Sequence, residues 1–168
     1  MKEVSHPLIV ELVYVFPTET TYNFVLEFCP GGTLYHNLQI RKKFSEQRAL
    51  IYFAELLFIV RYLHRNNILF RDFKAENVLL DYYGHLKLTD FGLARKFEMG
   101  EGRSNYSFCG SPIYIAPETL ERKPYNHKVD YYALGILLFE MLTGSPPHNF
   151  KQADLIKKAK IDQSVVYP

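Results

Sequence analysis

The chain has 168 residues, 48% hydrophobic and 23% charged, about one domain's worth and ordinary for a soluble globular protein. So much apolar material excludes a disordered tail or a low-complexity linker, and 13 Phe and 13 Tyr, with no Trp, can supply a core. The +2 balance of Lys and Arg over Asp and Glu is too small to point to nucleic acid or an anionic membrane.

Residues 8–16 are β-branched and aromatic and stop at Pro17. A polar turn at 18–21 and a similar run over 22–28 predict paired strands. Pro30-Gly31-Gly32 breaks the chain, and Thr33 is placed to cap a short helix over 34–42. Ser45 opens a longer helix, with Arg48 where a capping box would place Glu or Gln. Leu50, Phe53, Leu57, Val60 and His64 recur at helical spacing, widened by Leu56 and Leu63. So wide an apolar arc predicts burial on most sides. Asn66-Asn67 ends that helix.

Residues 68–92 divide into an apolar Ile68-Leu69-Phe70, a charged loop, and a hairpin of 78–80 with 85–88 turned at 81–84. The chain is polar and rich in Gly and Ser over 98–112, a long loop of the kind that is functional or disordered in compact domains. An apolar helix over 129–142, ended at Thr143-Gly144, and an amphipathic helix over 153–160 complete the pattern.

Cys29 and Cys109 lie far apart in no metal-ligand spacing, and Met1-Lys2-Glu3-Val4 opens no secretory signal. Free thiols and a soluble, cytoplasmic protein are the expectation. No apolar run nears the roughly 18 residues of a membrane span; the longest, 133–142, is interrupted by Glu140.

The chemistry concentrates in Arg71-Asp72-Phe73-Lys74-Ala75-Glu76-Asn77, where four ionic groups and an amide sit between apolar segments. Asp90-Phe91-Gly92 follows across the hairpin. A hairpin whose ends deliver Asn77 and Asp90 to one edge makes an oxygen-ligand site suited to Mg²⁺.

Arg71-Asp72-x-Lys74-x-x-Asn77, Asp90-Phe91-Gly92 and Ala116-Pro117-Glu118, in this order and spacing, resemble the catalytic signature of eukaryotic protein kinases. Asp130-Tyr131-Tyr132-Ala133-Leu134-Gly135 is similar to the family's Asp-x-Trp-x-x-Gly helix, with Tyr132 for Trp. The resemblance runs from His6-Pro7 almost to Pro168. His6-Pro7-Leu8-Ile9-Val10, Val25-Leu26-Glu27-Phe28-Cys29-Pro30-Gly31-Gly32, Phe70 ahead of Arg71-Asp72, and Ser107-Phe108-Cys109-Gly110-Ser111-Pro112 together resemble the AGC group of Ser/Thr kinases in particular.

This resemblance implies an α+β, protein-kinase-like fold in truncated form. Residues 1–28 would be two strands of the small lobe and the start of the hinge, and 29–168 the mainly helical large lobe up to about its seventh helix. ATP and Mg²⁺ would be the cofactors and a protein Ser or Thr the acceptor. Asp72 would accept the substrate hydroxyl's proton, Lys74 would neutralise the transferring phosphoryl group, and Asn77 and Asp90 would hold the metal ions while Phe91 packs to place Asp90. Main-chain groups of Glu27 and Cys29 would bond adenine, with Leu26 as gatekeeper and Leu79 under the purine. Ser111 would line the peptide site and steady Asp72 and Lys74. Glu76 and Glu140 match positions that read substrate arginine.

Ser107 stands at the activation-loop phosphorylation position, the target of an upstream kinase, where a phosphate of about −1.5 to −2 charge could pair with Arg71 and Arg95. Thr33, Ile113 and Ala75 depart from the group's usual Glu, Glu and Pro. The sequence holds no Gly-x-Gly-x-x-Gly and no Val-Ala-x-Lys strand, so negligible kinase activity is expected of these residues alone. The alternative reading is a non-catalytic kinase-like interaction module.

Overall fold

A computed structural model describes residues 4–97 and 107–147. The predicted helix over 153–160 and most of the polar loop lie outside them. Strands β1 (Leu12–Pro17) and β2 (Tyr22–Leu26) pair antiparallel, with an irregularity between Leu12 and Tyr14. No residue of either strand is buried, and Val13, Tyr14, Tyr22 and Phe24 are all more than half exposed.

Residues 8–10 do not extend β1 as the run over 8–16 predicts. Ile9 and Val10 are buried, and this stretch lies along Leu88 instead, through Val10 N–H to Leu88 O (2.9 Å) and Leu88 N–H to Leu8 O (2.9 Å). A fully buried apolar stretch is better satisfied against the core than on an open ribbon.

Helix α1 (Leu34–Arg41) is capped by Thr33, whose hydroxyl accepts the His36 N–H at 3.0 Å. Ser45 caps α2 (Glu46–Arg65) by accepting the Arg48 N–H, and Asn66 closes it. The buried side of α2 is Ala49, Tyr52, Leu56, Ile59, Val60 and Leu63. This corrects the sequence expectation, because Leu50 and Leu57 of the proposed stripe face solvent and so do Ile51 and Phe58. The helix is apolar on two sides, and periodicity cannot choose between them.

Strand β3 (Ile68–Leu69) is followed by the charged loop, a single 3-10 turn at Ala75–Asn77, and the hairpin of β4 (Val78–Leu80) with β5 (Leu86–Leu88). Asp81 fastens its turn by accepting from the main chain of Tyr83 and His85. A second 3-10 turn at Phe91–Leu93 leads to β6 (Arg95–Lys96), which pairs with β3.

The short helix α3 (Pro117–Leu120) precedes α4 (Lys128–Thr143), which stops at Gly144 in a left-handed conformation. A Cβ at Gly144 would lie 2.1 Å from Lys42 O, so glycine alone permits the approach of α4's end to the α1–α2 link. Phe44 N–H bonds Met141 O there at 2.8 Å.

Helices α2 and α4 enclose the core, in which Leu56, Ile59, Leu63, Leu137 and Met141 are inaccessible to solvent. Each such side chain contributes about 1.5–3 kcal/mol by burial. Phe70 and Phe73 fill the space beneath the charged loop. Mixed helices and few strands agree with the α+β, kinase-like class expected. Among the described residues no helix is long and apolar enough to cross a membrane.

Candidate active site

The charged loop is held from below by a buried carboxylate. Asp130, in the first turn of α4 and 1% exposed, accepts the Phe70 N–H at 3.1 Å and the Arg71 N–H at 2.8 Å. Its Oδ2 also meets His64 Nε2 at 2.8 Å. Arg71 takes a left-handed backbone (φ 69°) at this anchor, a strained state that persists only when neighbouring bonds hold it. The Arg71 side chain runs the other way, donating to Leu93 O at 2.8 Å and to the Tyr125 hydroxyl at 3.2 Å.

Above this anchor sits a closed polar cluster. Lys74 Nζ lies 2.7 Å from Asp72 Oδ2 and 3.2 Å from Ser111 Oγ. The Ser111 hydroxyl donates to Asp72 Oδ1 at 3.1 Å, and Asn77 Nδ2 donates to Asp72 Oδ2 at 2.9 Å and Asp72 O at 3.0 Å. Asp72 and Asn77 are buried, so a low-dielectric setting strengthens each contact. Gly110 lets the Ser111 segment come this close: at φ 104° a Cβ would meet Arg71 O at 2.7 Å.

The hairpin delivers Asn77 and Asp90 as the sequence suggests. Val78 pairs with Leu88, and Thr89 N–H closes on Asn77 O at 2.9 Å, so Asp90 begins one residue beyond Asn77's partner. Asp90 is exposed and left-handed (φ 59°), and its Oδ1 caps the following turn through Gly92 N–H at 3.1 Å. Phe91 stands edge-on to Phe70, with centroids 5.2 Å apart. Asp90, Phe91 and Gly92 line a cleft of about 900 Å³ with Leu26, Phe24 and Val15 of the strand pair.

The residues expected to form the hinge lie where the strand pair meets the body. Gly31 and Gly32 form two main-chain bonds with Leu80, of 3.0 and 2.9 Å. A Cβ on Gly31 would meet Leu80 Cβ at 2.6 Å. Glu27 bonds Lys87 Nζ at 2.7 Å, and Lys87 stands opposite half-buried Leu79 in the hairpin. Cys29 is buried, and burial first, then the Glu27 charge, raises its thiol pKa.

Glu140 is buried on α4 and accepts the Tyr114 hydroxyl at 2.5 Å. Burial raises its pKa, the Tyr114 bond opposes that, and the charge of exposed Glu76 adds to it. Burial and the Glu140 carboxylate push the Tyr114 hydroxyl up in turn. Ser107 is exposed and its carbonyl accepts the Tyr125 hydroxyl at 2.9 Å, which sets Ser107 two bonds from Arg71. Arg95 is exposed on β6. Sequence reasoning missed Tyr114, Tyr125 and the role of His64. Each acts across the fold, and no local pattern marks it.

The protein kinase domain family matches residues 1–167 of this sequence. The chain belongs to the protein kinase family. It is 44% identical over 147 residues to the human cAMP-dependent protein kinase catalytic subunit PRKX, covering 88% of this chain and 40% of that protein. It is 46% identical over 147 residues to human serine/threonine-protein kinase Sgk2, with the same coverage. Protein kinase 2 of Dictyostelium discoideum is 46% identical over 144 residues, covering 86% of this chain and 30% of that protein. The chain thus spans 30–40% of the length of these relatives, which agree with the AGC resemblance. Kinases of this family use ATP and Mg²⁺ in general.

Proposed function

We propose that the chain carries the catalytic centre of an AGC-type serine/threonine kinase, which transfers the γ-phosphoryl group of ATP to a protein hydroxyl. The closed cluster of Asp72, Lys74, Asn77 and Ser111 carries this reading. Asp72 takes the acceptor hydroxyl's proton and orients its oxygen for in-line attack, and Lys74 lies beside the transferring group. Phosphoryl transfer depends mostly on positioning and electrostatics, and this cluster supplies both.

Asn77 and Asp90 would hold Mg²⁺. Asn77 Nδ2 is engaged by Asp72, which leaves the amide oxygen as its ligand atom. Asp90 binds Gly92 through Oδ1 and keeps Oδ2. An amide oxygen and a carboxylate are hard donors, which fits this ion. When bound, magnesium neutralises charge on the phosphate oxygens. Main-chain groups of Glu27 and Cys29 bond the adenine edge beside Leu26 and Leu79. Residues 1–28 serve as small-lobe strands and hinge, and 29–168 as large lobe.

Ser111 lines the peptide site, and Glu76 with Glu140 receives a substrate arginine, a cation that relieves the repulsion between the two carboxylates. An upstream kinase phosphorylates Ser107, and the phosphate pairs with Arg71 and Arg95. Cys29 and Cys109 are free thiols, in keeping with a cytoplasmic protein.

A chimera in which these residues replace the matching stretch of human Sgk2 tests the reading with a basic peptide and ATP. Transfer is expected, and Asp72→Asn should lower it by about 10²–10⁴-fold. Equal rates for the parent chimera and Asp72→Asn would refute the assignment. Phosphorylated and Ser107→Ala chimeras of equal activity would refute the role of Ser107. Alone, the 168 residues should show negligible transfer, lacking a glycine-rich loop and a strand lysine.

A further inference from the structure

The segment 107–111 lies against the charged loop, and its contacts there differ in kind. Ser111 bonds Asp72 Oδ1 directly at 3.1 Å. Gly110 comes so near Arg71 O that a Cβ would meet it at 2.7 Å. Ser107 is joined through a third residue: the Tyr125 hydroxyl donates to its carbonyl at 2.9 Å and accepts from Arg71 Nη1 at 3.2 Å.

That hydroxyl is fixed in place. Tyr125 is 5% exposed, and its ring packs with Ala116 and with Val129 of α4. Val129 adjoins Asp130, which holds the Arg71 main chain. Further chain folded onto this body can only deepen such burial. Burial raises the hydroxyl's pKa, with the Arg71 charge opposing it. Near neutral pH the group therefore keeps a proton to donate and a lone pair to accept, and both are in use.

Arg71 is thereby held at both ends. Asp130 bonds its backbone in the left-handed state, and its guanidinium spans Leu93, in the turn after Asp90, and Tyr125. With Ser107 unmodified, the tyrosine carries the link from this end of the segment to the guanidinium. A phosphate on Ser107 would bring about −1.5 to −2 charge and acceptor oxygens of its own. Guanidinium–phosphate bonds are roughly twice as strong as neutral ones, and the Arg71 fork has further N–H groups to make them. The tyrosine link is then redundant. It is also the weaker hold, being neutral at its Ser107 end, so phosphorylation still raises the rate.

We propose that Tyr125 is a positioning residue that stands in for a phosphate. Its hydroxyl seats the unphosphorylated segment on Arg71, and phosphorylation of Ser107 takes over that duty. The inference deepens the proposed function and rests on its assignments of Asp72 and Ser107. Its signature is a Tyr125→Phe defect that depends on the state of Ser107. A packing role gives no such dependence, because phenylalanine keeps the ring and removes both bonds.

The test uses the Sgk2 chimera with serine or genetically encoded phosphoserine at 107, each with and without Tyr125→Phe, and thermal unfolding checks that all four are folded. In the serine form Tyr125→Phe should lower kcat about tenfold, the scale of one hydrogen bond to a charged group, with the KM for ATP unchanged. In the phosphoserine form the loss should be under about twofold, the two changes being coupled through Arg71. Hydrogen exchange at the amides of 107–111 should quicken in the serine form of Tyr125→Phe and not in the phosphoserine form. The proposal is overturned by an equal or larger loss in the phosphoserine form, or by no loss in the serine form. If the parent chimera is no faster than Asp72→Asn, the catalytic reading is what has failed. Exchange then decides alone, and equal exchange in Tyr125→Phe and parent overturns the seating role as well.

Discussion

Asp130→Asn should unfasten the charged loop without emptying its site. The carboxylate faces three donors: Phe70 N–H and His64 Nε2 at Oδ2, and Arg71 N–H at Oδ1. Asparagine offers one acceptor oxygen, so either orientation sets its N–H₂ against at least one main-chain N–H. His64 can change tautomer and accept, but Phe70 N–H and Arg71 N–H cannot. A stranded buried donor costs about 1–3 kcal/mol, and the remaining bonds lose their ionic strengthening. The loss should therefore be roughly 2–4 kcal/mol, a large part of a typical domain's 5–15 kcal/mol. For a chain of this size that lowers Tm by about 5–15 °C. Urea and thermal unfolding measure the loss, and hydrogen exchange at the Phe70 and Arg71 amides locates it. A loss under about 1 kcal/mol with both amides still protected would refute the argument that Asp130 holds Arg71 in its left-handed state.

Gly31→Ala should cost about 1–3 kcal/mol in denaturant unfolding, because its Cβ would overlap Leu80; an unchanged midpoint would mean that the Gly31–Leu80 contact yields freely. Lys87→Met removes the ion pair with Glu27. Partial exposure limits the stability loss to about 1 kcal/mol or less, but exchange of the amides at 27–29 should quicken. Histidine proton shifts followed by NMR should show His127 and His6 titrating below 6.5, chiefly from burial, and His85 above it, from its bond to Glu55. The linkage signs are opposite. The His127 and His6 contribution is present above pH 6.5 and lost as pH falls, whereas that of His85 is present below 6.5 and lost as pH rises through its folded pKa. Alkaline absorbance titration should place one tyrosine, Tyr132, at about 12, raised by burial and then by Glu118.

What the sequence made legible was what lies close together in it. Asp72, Lys74 and Asn77 fall within six residues, and the hairpin that brings Asp90 back announces itself through short apolar strands and a Gly84 turn. The caps at Thr33 and Ser45 were readable because a hydroxyl needs an N–H only three residues away. Contacts between distant segments left no such mark. Nothing near Tyr114 or Tyr125 indicates that their hydroxyls close on Glu140 and Ser107. The outward side of α2 was misread because Leu50 and Leu57 satisfy helical spacing as well as Leu56 and Leu63 do. Residues 8–10 have strand chemistry, but chemistry does not say which neighbour a strand takes.

Among the described residues no hydrogen bond joins the strand pair to the Asp72 cluster. The residues flanking β1 and β2 fasten them to the body, 8–10 along Leu88, Gly31 and Gly32 at Leu80, and Glu27 by its ion pair with Lys87, whereas Asp72 is held by Lys74, Asn77 and Ser111. On the proposed function, the part assigned to adenine and the part assigned to the proton could therefore drift separately under selection. Substitutions on the ribbon would retune nucleotide affinity while leaving the base in register. Changes around Asp130 would do the reverse, disabling chemistry in a protein that still holds its nucleotide.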